Sequence, residues 1–118
     1  MPHVVLEGEV DLAEVRDRFE GLFERSGADV LKVETLYVER EGRELLLDTL
    51  VVESGHPQHF FIQARHREGG LTVRLLPQTD PEKTDGVKRS LARVATFIRD
   101  LRPDRCRFGA TNIGEFLP

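Results

Sequence analysis

The sequence contains a single cysteine, Cys106, and no apolar run that approaches the ~20 residues needed to cross a membrane. One thiol excludes an internal disulfide and a metal site built from several thiolates within one chain. The N-terminus lacks the basic flank and apolar core of a secretory signal, so we expect a cytoplasmic location. Glycine-rich phosphate loops, dinucleotide fingerprints and G-x-S-x-G motifs are absent, which argues against nucleotide, dehydrogenase and hydrolase chemistry by those routes. We therefore expect no cofactor.

The charges are unevenly distributed along the 118 residues, whose formal net charge is −4. Residues 1–60 hold 6 Lys/Arg and 14 Asp/Glu, whereas residues 61–118 hold 11 and 7. Two lobes of opposite charge could steer self-association or a charged ligand, although solvated faces often differ in this way. The hydrophobic content of 39% and charged content of 32% fit one globular domain over residues 1–118.

A stretch from Val30 to Leu76 predicts four consecutive strands. β-branched, aromatic and alternating apolar residues fill the runs 30–39, 45–52, 59–66 and 71–76, and turn signals containing glycine separate them. We expect Pro57 to lie in a turn, because proline cannot continue a ladder of hydrogen bonds. Short connections between successive strands imply antiparallel hairpins.

Two amphipathic helices are expected to flank this meander. Asp11 is placed to cap the first, whose apolar stripe includes Leu12 and Val15, continues through residues 19, 22 and 23, and ends at Gly27. Thr84 or Asp85 is placed to cap the second, which stops before Pro103. A short strand over residues 3–8 precedes the first helix, and residues 106–118 form a tail that must dock on its own sheet or on a neighbour.

These elements predict an α+β fold, a two-layer sandwich in the order β-α-β-β-β-β-α plus tail. Two helices would cover one face of a five-stranded, mainly antiparallel sheet. The other face would carry Phe61, Gln63, Arg65 and Arg74, which suits a dimer interface or a shallow ligand site. Arg65, Arg74 and Gln63 are the candidate residues for a small anionic ligand.

The spacing of the histidines and the surroundings of the cysteine give little support for a metal site or a catalytic thiol. His59 and His66 are separated by an odd number of residues, so they fall on opposite faces of a regular strand, and a metal site needs three or four converging ligands. We therefore predict no metal site. Cys106 lies between two arginines that favour a thiolate, but no histidine adjoins it, so a small buried residue is the preferred interpretation.

The second helix carries a basic stripe that could contact nucleic acid. The stripe and the following residues comprise Lys88, Arg89, Arg93, Arg99, Arg102 and Arg107. Aromatic residues are not interleaved with these cations and the whole chain is acidic, so we expect nucleic-acid binding to be unlikely.

The N-terminal run Met1-Pro2-His3-Val4-Val5-Leu6-Glu7 resembles the start of the tautomerase superfamily, particularly the 5-carboxymethyl-2-hydroxymuconate isomerases. The resemblance implies that methionine is removed and that the secondary amine of Pro2 acts as a general base, with Arg40 clamping a substrate carboxylate. A looser similarity covers residues 55–61. That family is built from two β-α-β units, whereas this sequence predicts two additional hairpin strands.

Three functions are therefore open at the level of sequence. The first is a domain that self-associates, most simply as a homodimer, through its open sheet face or its C-terminal tail. The second is a tautomerase that uses Pro2. The third is a module that binds a small anionic ligand.

Overall fold

The computed structural model describes all residues from Met1 to Pro118 and places seven strands in one sheet. The elements in chain order are β1 His3–Gly8, α1 Leu12–Arg18, β2 Leu22–Ser26, β3 Asp29–Val38, β4 Glu44–Glu53, β5 His56–Arg67, β6 Gly70–Leu75, α2 Asp85–Leu101, β7 Cys106–Thr111 and a 3-10 turn, Gly114–Phe116. The strand order is β2-β3-β4-β5-β6-β1-β7, and every pair is antiparallel. The α+β class is confirmed, but the sheet is a curled half-barrel of seven strands and not five.

One face of the sheet and both helices share a single core. Alternate residues of the central strands are buried on this face, among them Leu45 and Leu47 of β4 and Phe60 and Ile62 of β5. α1 contributes Leu12 and Val15, and α2 contributes the apolar stripe Val87, Leu91, Val94 and Ile98. Neither helix combines the length and the apolar character that crossing a bilayer requires.

The expected length of the first helix was wrong. α1 ends at Arg18, and residues 22–26 form strand β2. Gly21 adopts a φ of 97°, which an α-helix does not allow, and Gly27 begins a two-residue turn that pairs β2 with β3. Pairing of the hairpin stabilises these residues more than a helix would, because the glycine at position 21 already lowers their helix propensity.

The C-terminal tail docks within its own chain. Residues 106–111 pair with β1 as the seventh strand, and Ile113 is buried in the core. Phe116 and Leu117 pack against the edge of the same core. The tail therefore provides the strand at one edge of the sheet.

Pro57 lies inside β5 opposite Val52, contrary to its expected place in a turn. The turn is instead Ser54-Gly55, and Glu53 pairs with His56 beside it. In this two-residue hairpin the Glu53–His56 pair exchanges hydrogen bonds, so the backbone nitrogen of residue 57 points away from β4. On the other side β6 pairs with β5 only from Ile62 onward, so no N–H is needed there.

Glu53 provides the carboxylate that caps α2. Its Oε2 accepts a hydrogen bond from the backbone N–H of Gly86 at 2.9 Å, and its Oε1 accepts one from the hydroxyl of Thr84. A negative charge at a helix N-terminus is stabilising because the first backbone N–H groups point toward it. A Cβ at residue 86 would lie 2.5 Å from the Glu53 carboxyl carbon, so any larger residue there would displace the carboxylate from the helix N-terminus.

Replacing Glu53 with alanine should lower the free energy of unfolding by about 1–2 kcal/mol, because it removes both the cap and its charge. Glu53→Gln should lose roughly half of that, since the amide oxygen can still accept a hydrogen bond. Urea denaturation of both variants measures the effect, with exposed Glu82→Ala as the control. A loss in Glu53→Ala no greater than in Glu82→Ala would contradict this role.

Candidate functional site

The face of the sheet opposite the helices, here called the open face, carries the candidate ligand residues. The strand register places Arg74 directly opposite Gln63, and Arg65 opposite Thr72. Gln63 in turn lies opposite Leu46, and Arg65 opposite Glu44. The three predicted ligand residues, Arg65, Gln63 and Arg74, are therefore neighbours on one face of β5 and β6.

A chain of polar contacts links these side chains. Arg74 Nε donates to Gln63 Oε1 at 2.7 Å, and Gln63 Nε2 donates to Glu44 Oε1 at 3.1 Å. Arg65 Nε lies 3.7 Å from Glu44 Oε2. Gln63 is only 5% exposed, so the chain fixes its amide between two charged groups. A guanidinium has five N–H donors, and Arg74 uses one of them on Gln63, which leaves others for an anion.

Three rings lie beside this polar chain. The rings of Tyr37 and Phe61 are 6.3 Å apart between centroids, and those of His59 and Phe61 are 5.9 Å apart. Tyr37 is 52% exposed, and the His59 ring is hydrogen-bonded through Nε2 to Asp48 on the neighbouring strand. Exposed aromatic rings on a sheet form a surface on which flat ligands can stack.

The open face is more positive than the chain as a whole. Strand register assigns six cations to it, namely Arg25, Lys32, Arg65, Arg67, Arg74 and Arg107. The acidic groups on the same face are Glu7, Glu34, Glu44 and Asp48. Six against four gives +2, whereas the chain carries −4. An anion approaching the protein is therefore favoured on this side over the helical side.

The basic stripe of α2 is largely engaged in contacts within the chain. Arg93 pairs with Glu24 of β2, and Arg99 lies over the Phe108 ring at 4.6 Å. Arg89 lies 5.8 Å from the ring centroid of Phe116. Beyond the helix, two more of these cations form ion pairs: Arg102 with Glu14 at 2.8 Å, and Arg107 with Glu7 at 3.0 Å. These contacts tie the helix and tail to the sheet.

Pro2 and Arg40, the candidate tautomerase residues, are not brought together. Pro2 is buried at the start of β1, whereas Arg40 is exposed in the turn between β3 and β4. Four inter-strand steps separate β1 from β3, which is about 19 Å along the sheet at the usual strand spacing. Pro2 is separated from Val4 and Leu6 by even numbers of residues, so it lies on the same side of the strand, which faces the core.

Cys106 and the histidines occupy separate places. Cys106 is buried at 4% exposure, and burial raises the pKa of its thiol although Arg99 and Arg107 act in the opposite direction. A raised pKa disfavours the thiolate that a nucleophile requires. His59 lies on the open face. His66 follows seven residues later on the same strand, so its side chain lies on the opposite face. No group of three or more potential ligands is arranged to hold a metal ion.

Tyr37 is the site residue that sequence reasoning missed. Strict alternation along β3 would place it on the same face as Leu31 and Val33, which are buried in the core. The ladder with β4 shifts between Val33 and Thr35, and this bulge transfers Tyr37 to the open face. The polar pair Glu34-Thr35 within an apolar strand is the signal that could have indicated a bulge.

Comparison with known proteins gives one partial match. A stretch of 64 residues is 30% identical to a tRNA (guanine-N(7)-)-methyltransferase of Aquifex aeolicus. The match covers 54% of this chain and 22% of the methyltransferase, so it corresponds to about a fifth of that protein's length. No protein-family model and no solved structure matches the chain.

Proposed function

We propose that this chain is a non-catalytic binding module whose open face binds RNA in single-stranded or loop form. The observation that carries the proposal is that the rings of Tyr37, Phe61 and His59 lie on the same uncovered face of the sheet as Arg65, Gln63 and Arg74. On sequence alone, a small anionic ligand is one alternative for these residues and nucleic-acid binding is expected to be unlikely. We depart from that expectation by taking the phosphate backbone of RNA as the anion.

The chemistry of the face suits RNA because the two kinds of group have complementary roles. Unpaired bases stack on aromatic side chains of a sheet, and arginines bind the phosphates between them. Gln63 is buried with its amide bonded to Arg74 and Glu44, so its role is to position the Arg74 guanidinium. Glu44 lies beside Arg65 and its charge would weaken a phosphate contact there, so Arg74, which donates to the neutral Gln63, is the better placed phosphate ligand.

The partial match supports the same ligand class. By its name, the Aquifex aeolicus enzyme acts on guanine in tRNA. The chain described here has an entirely antiparallel sheet and lacks a glycine-rich nucleotide-binding motif, so we infer that its likeness to that enzyme concerns binding and not catalysis. A tRNA offers single-stranded loops and ends, which are the regions that such a face could bind.

Arg65→Ala combined with Arg74→Ala should weaken binding of a fluorescent single-stranded RNA of about 12 nucleotides by at least tenfold. Each lost phosphate contact should also reduce the slope of log K against log salt by about 0.7. Fluorescence anisotropy at several salt concentrations measures both quantities.

The matched control is Arg18→Ala combined with Lys88→Ala, which removes the same two charges from the helical side. Equal losses in the two double variants would show that net charge alone is responsible and would contradict a site on the open face. Absence of binding by the wild-type chain to this oligonucleotide and to intact tRNA would reject RNA as the ligand.

Two other functions remain proposals. Self-association through the open face would be recognised by a mass that rises with concentration and returns to that of the monomer in Phe61→Ser. A tautomerase would require turnover of an enol such as phenylenolpyruvate that is lost in Pro2→Ala. The burial of Pro2 and its distance from Arg40 make the tautomerase a weaker proposal than RNA binding.

A further inference from the structure

β2 ends the sheet with an edge that is open to another strand. It is hydrogen-bonded on one side only, to β3, through the two-residue turn Gly27-Ala28. In such a hairpin the pairs Ser26–Asp29 and Glu24–Leu31 exchange hydrogen bonds, so the backbone groups of Phe23 and Arg25 point outward. Phe23 is 60% exposed, one of the two most exposed large apolar side chains in the protein.

The opposite edge is less suited to pairing. β7 contains an irregularity relative to β1, since Leu6 pairs with Phe108 while Val4 pairs with Thr111. The additional residue bends the strand and interrupts its outer row of donors and acceptors, which is a common protection for sheet edges. The pairing of β2 shows no such shift and the strand contains no proline.

We propose that two copies of this chain pair antiparallel along β2, with Phe23 of one copy directly opposite Phe23 of the other. This register pairs the outward backbone groups of Phe23 in the two copies and brings those of Arg25 opposite the partner's Gly21, the residue that precedes β2. It places Arg25 diagonally beside the partner's Phe23 ring, where a guanidinium and an aromatic ring attract each other. It also sets Leu22 opposite the partner's Glu24, so that no like charges face each other.

Charge selects this register over its nearest alternative. A shift that places Phe23 opposite the partner's Arg25 would set Glu24 directly against the partner's Glu24, and like charges opposite each other are destabilising. A register shifted by an odd number of residues would place the open face of one copy on the same side as the helices of the other. In the proposed register the dimer has one continuous fourteen-stranded sheet, and both open faces lie on the same side.

The consequence goes beyond RNA binding by a single chain. Two copies of the open face, related by a two-fold axis perpendicular to the sheet, would engage one RNA at two places. The second contact is then intramolecular, which raises the overall affinity without a new type of contact.

A register-specific disulfide tests the proposal independently of RNA. In a Cys106→Ser background, Phe23→Cys should form a disulfide-linked dimer under mild oxidation, because directly opposite Cα atoms lie about 5.5 Å apart. Arg25→Cys is the control, since its partner in this register is Gly21 and the two introduced thiols are too far apart to bond. Equal cross-linking at both positions, or none at position 23, would overturn the register.

Sedimentation velocity over a wide range of concentration tests pairing in the unmodified protein. The wild-type mass should rise from that of a monomer toward that of a dimer, and Arg25→Pro should remain a monomer because it lacks an outward N–H. Arg25→Ala keeps that donor and should still pair. A dimer that persists in Arg25→Pro but is lost in Phe61→Ser would assign the contact to the open face and overturn pairing along β2.

Discussion

Replacing Tyr37 with alanine is expected to weaken the binding of single-stranded RNA by roughly five- to 150-fold. Stacking of one base on an aromatic side chain is worth about 1–3 kcal/mol, and about 1.4 kcal/mol corresponds to a tenfold change in affinity. Tyr37 is 52% exposed and its ring lies 6.3 Å from that of Phe61. Removing the ring should therefore take away part of the stacking surface without a large loss in the free energy of unfolding.

Tyr37→Phe separates the role of the ring from that of the hydroxyl. It retains the stacking surface and should bind within about twofold of the wild-type affinity. Anisotropy titrations of both variants, together with their urea denaturation curves, measure the effect. A loss in Tyr37→Phe as large as in Tyr37→Ala would mean that the hydroxyl is the important group, and an unchanged affinity in Tyr37→Ala would remove the aromatic cluster from the site.

Gly70→Ala should be among the most destabilising single methyl additions in the sheet, with a loss of about 3–5 kcal/mol in the free energy of unfolding. A Cβ at Gly70 would lie 2.0 Å from the backbone oxygen of Leu6, and backbone of a central strand cannot move aside cheaply. Gly70 begins β6 where it pairs with Glu7 of β1 and Arg67 of β5. The loss is a large part of the 5–15 kcal/mol that stabilises a typical domain.

The adjacent Gly69 provides the control. It has a φ of 79°, and a Cβ there would have no atom within 4 Å. Gly69→Ala should therefore cost only the ~1–2 kcal/mol of a left-handed conformation. Urea denaturation measures the free energy of unfolding of both variants. It thereby compares the cost of a steric clash at residue 70 with the cost of a left-handed backbone at residue 69. Similar losses would contradict the close approach of β6 to β1, which joins the N-terminal strand to the meander.

Local signals predicted the meander and the second helix well. Apolar alternation and glycine turns gave the four central strands to within a few residues, except where Pro57 was excluded from β5. Thr84 caps α2, and the helix ends just before Pro103, as the sequence indicated. Such features depend on neighbouring residues, so a single sequence is sufficient to detect them.

The errors arose where distant contacts decide the structure. Residues 22–26 satisfy a helical stripe, yet they form β2 because β3 is available for pairing. Residues 106–111 appeared to be a tail and form β7 because β1 exposes an unpaired edge. The grouping of Arg65, Gln63 and Arg74 was predicted from alternation, whereas the position of Tyr37 depended on a bulge.

The central claim is that the open face binds RNA, and a ¹H–¹⁵N NMR titration with the same oligonucleotide tests it most directly. We expect the largest shift changes at backbone amides of β3, β4, β5 and β6 around Tyr37, Phe61, Gln63 and Arg74, with the helical side little affected. Changes concentrated on α2 around Lys88 and Arg93, or no changes at saturating RNA, would contradict the claim.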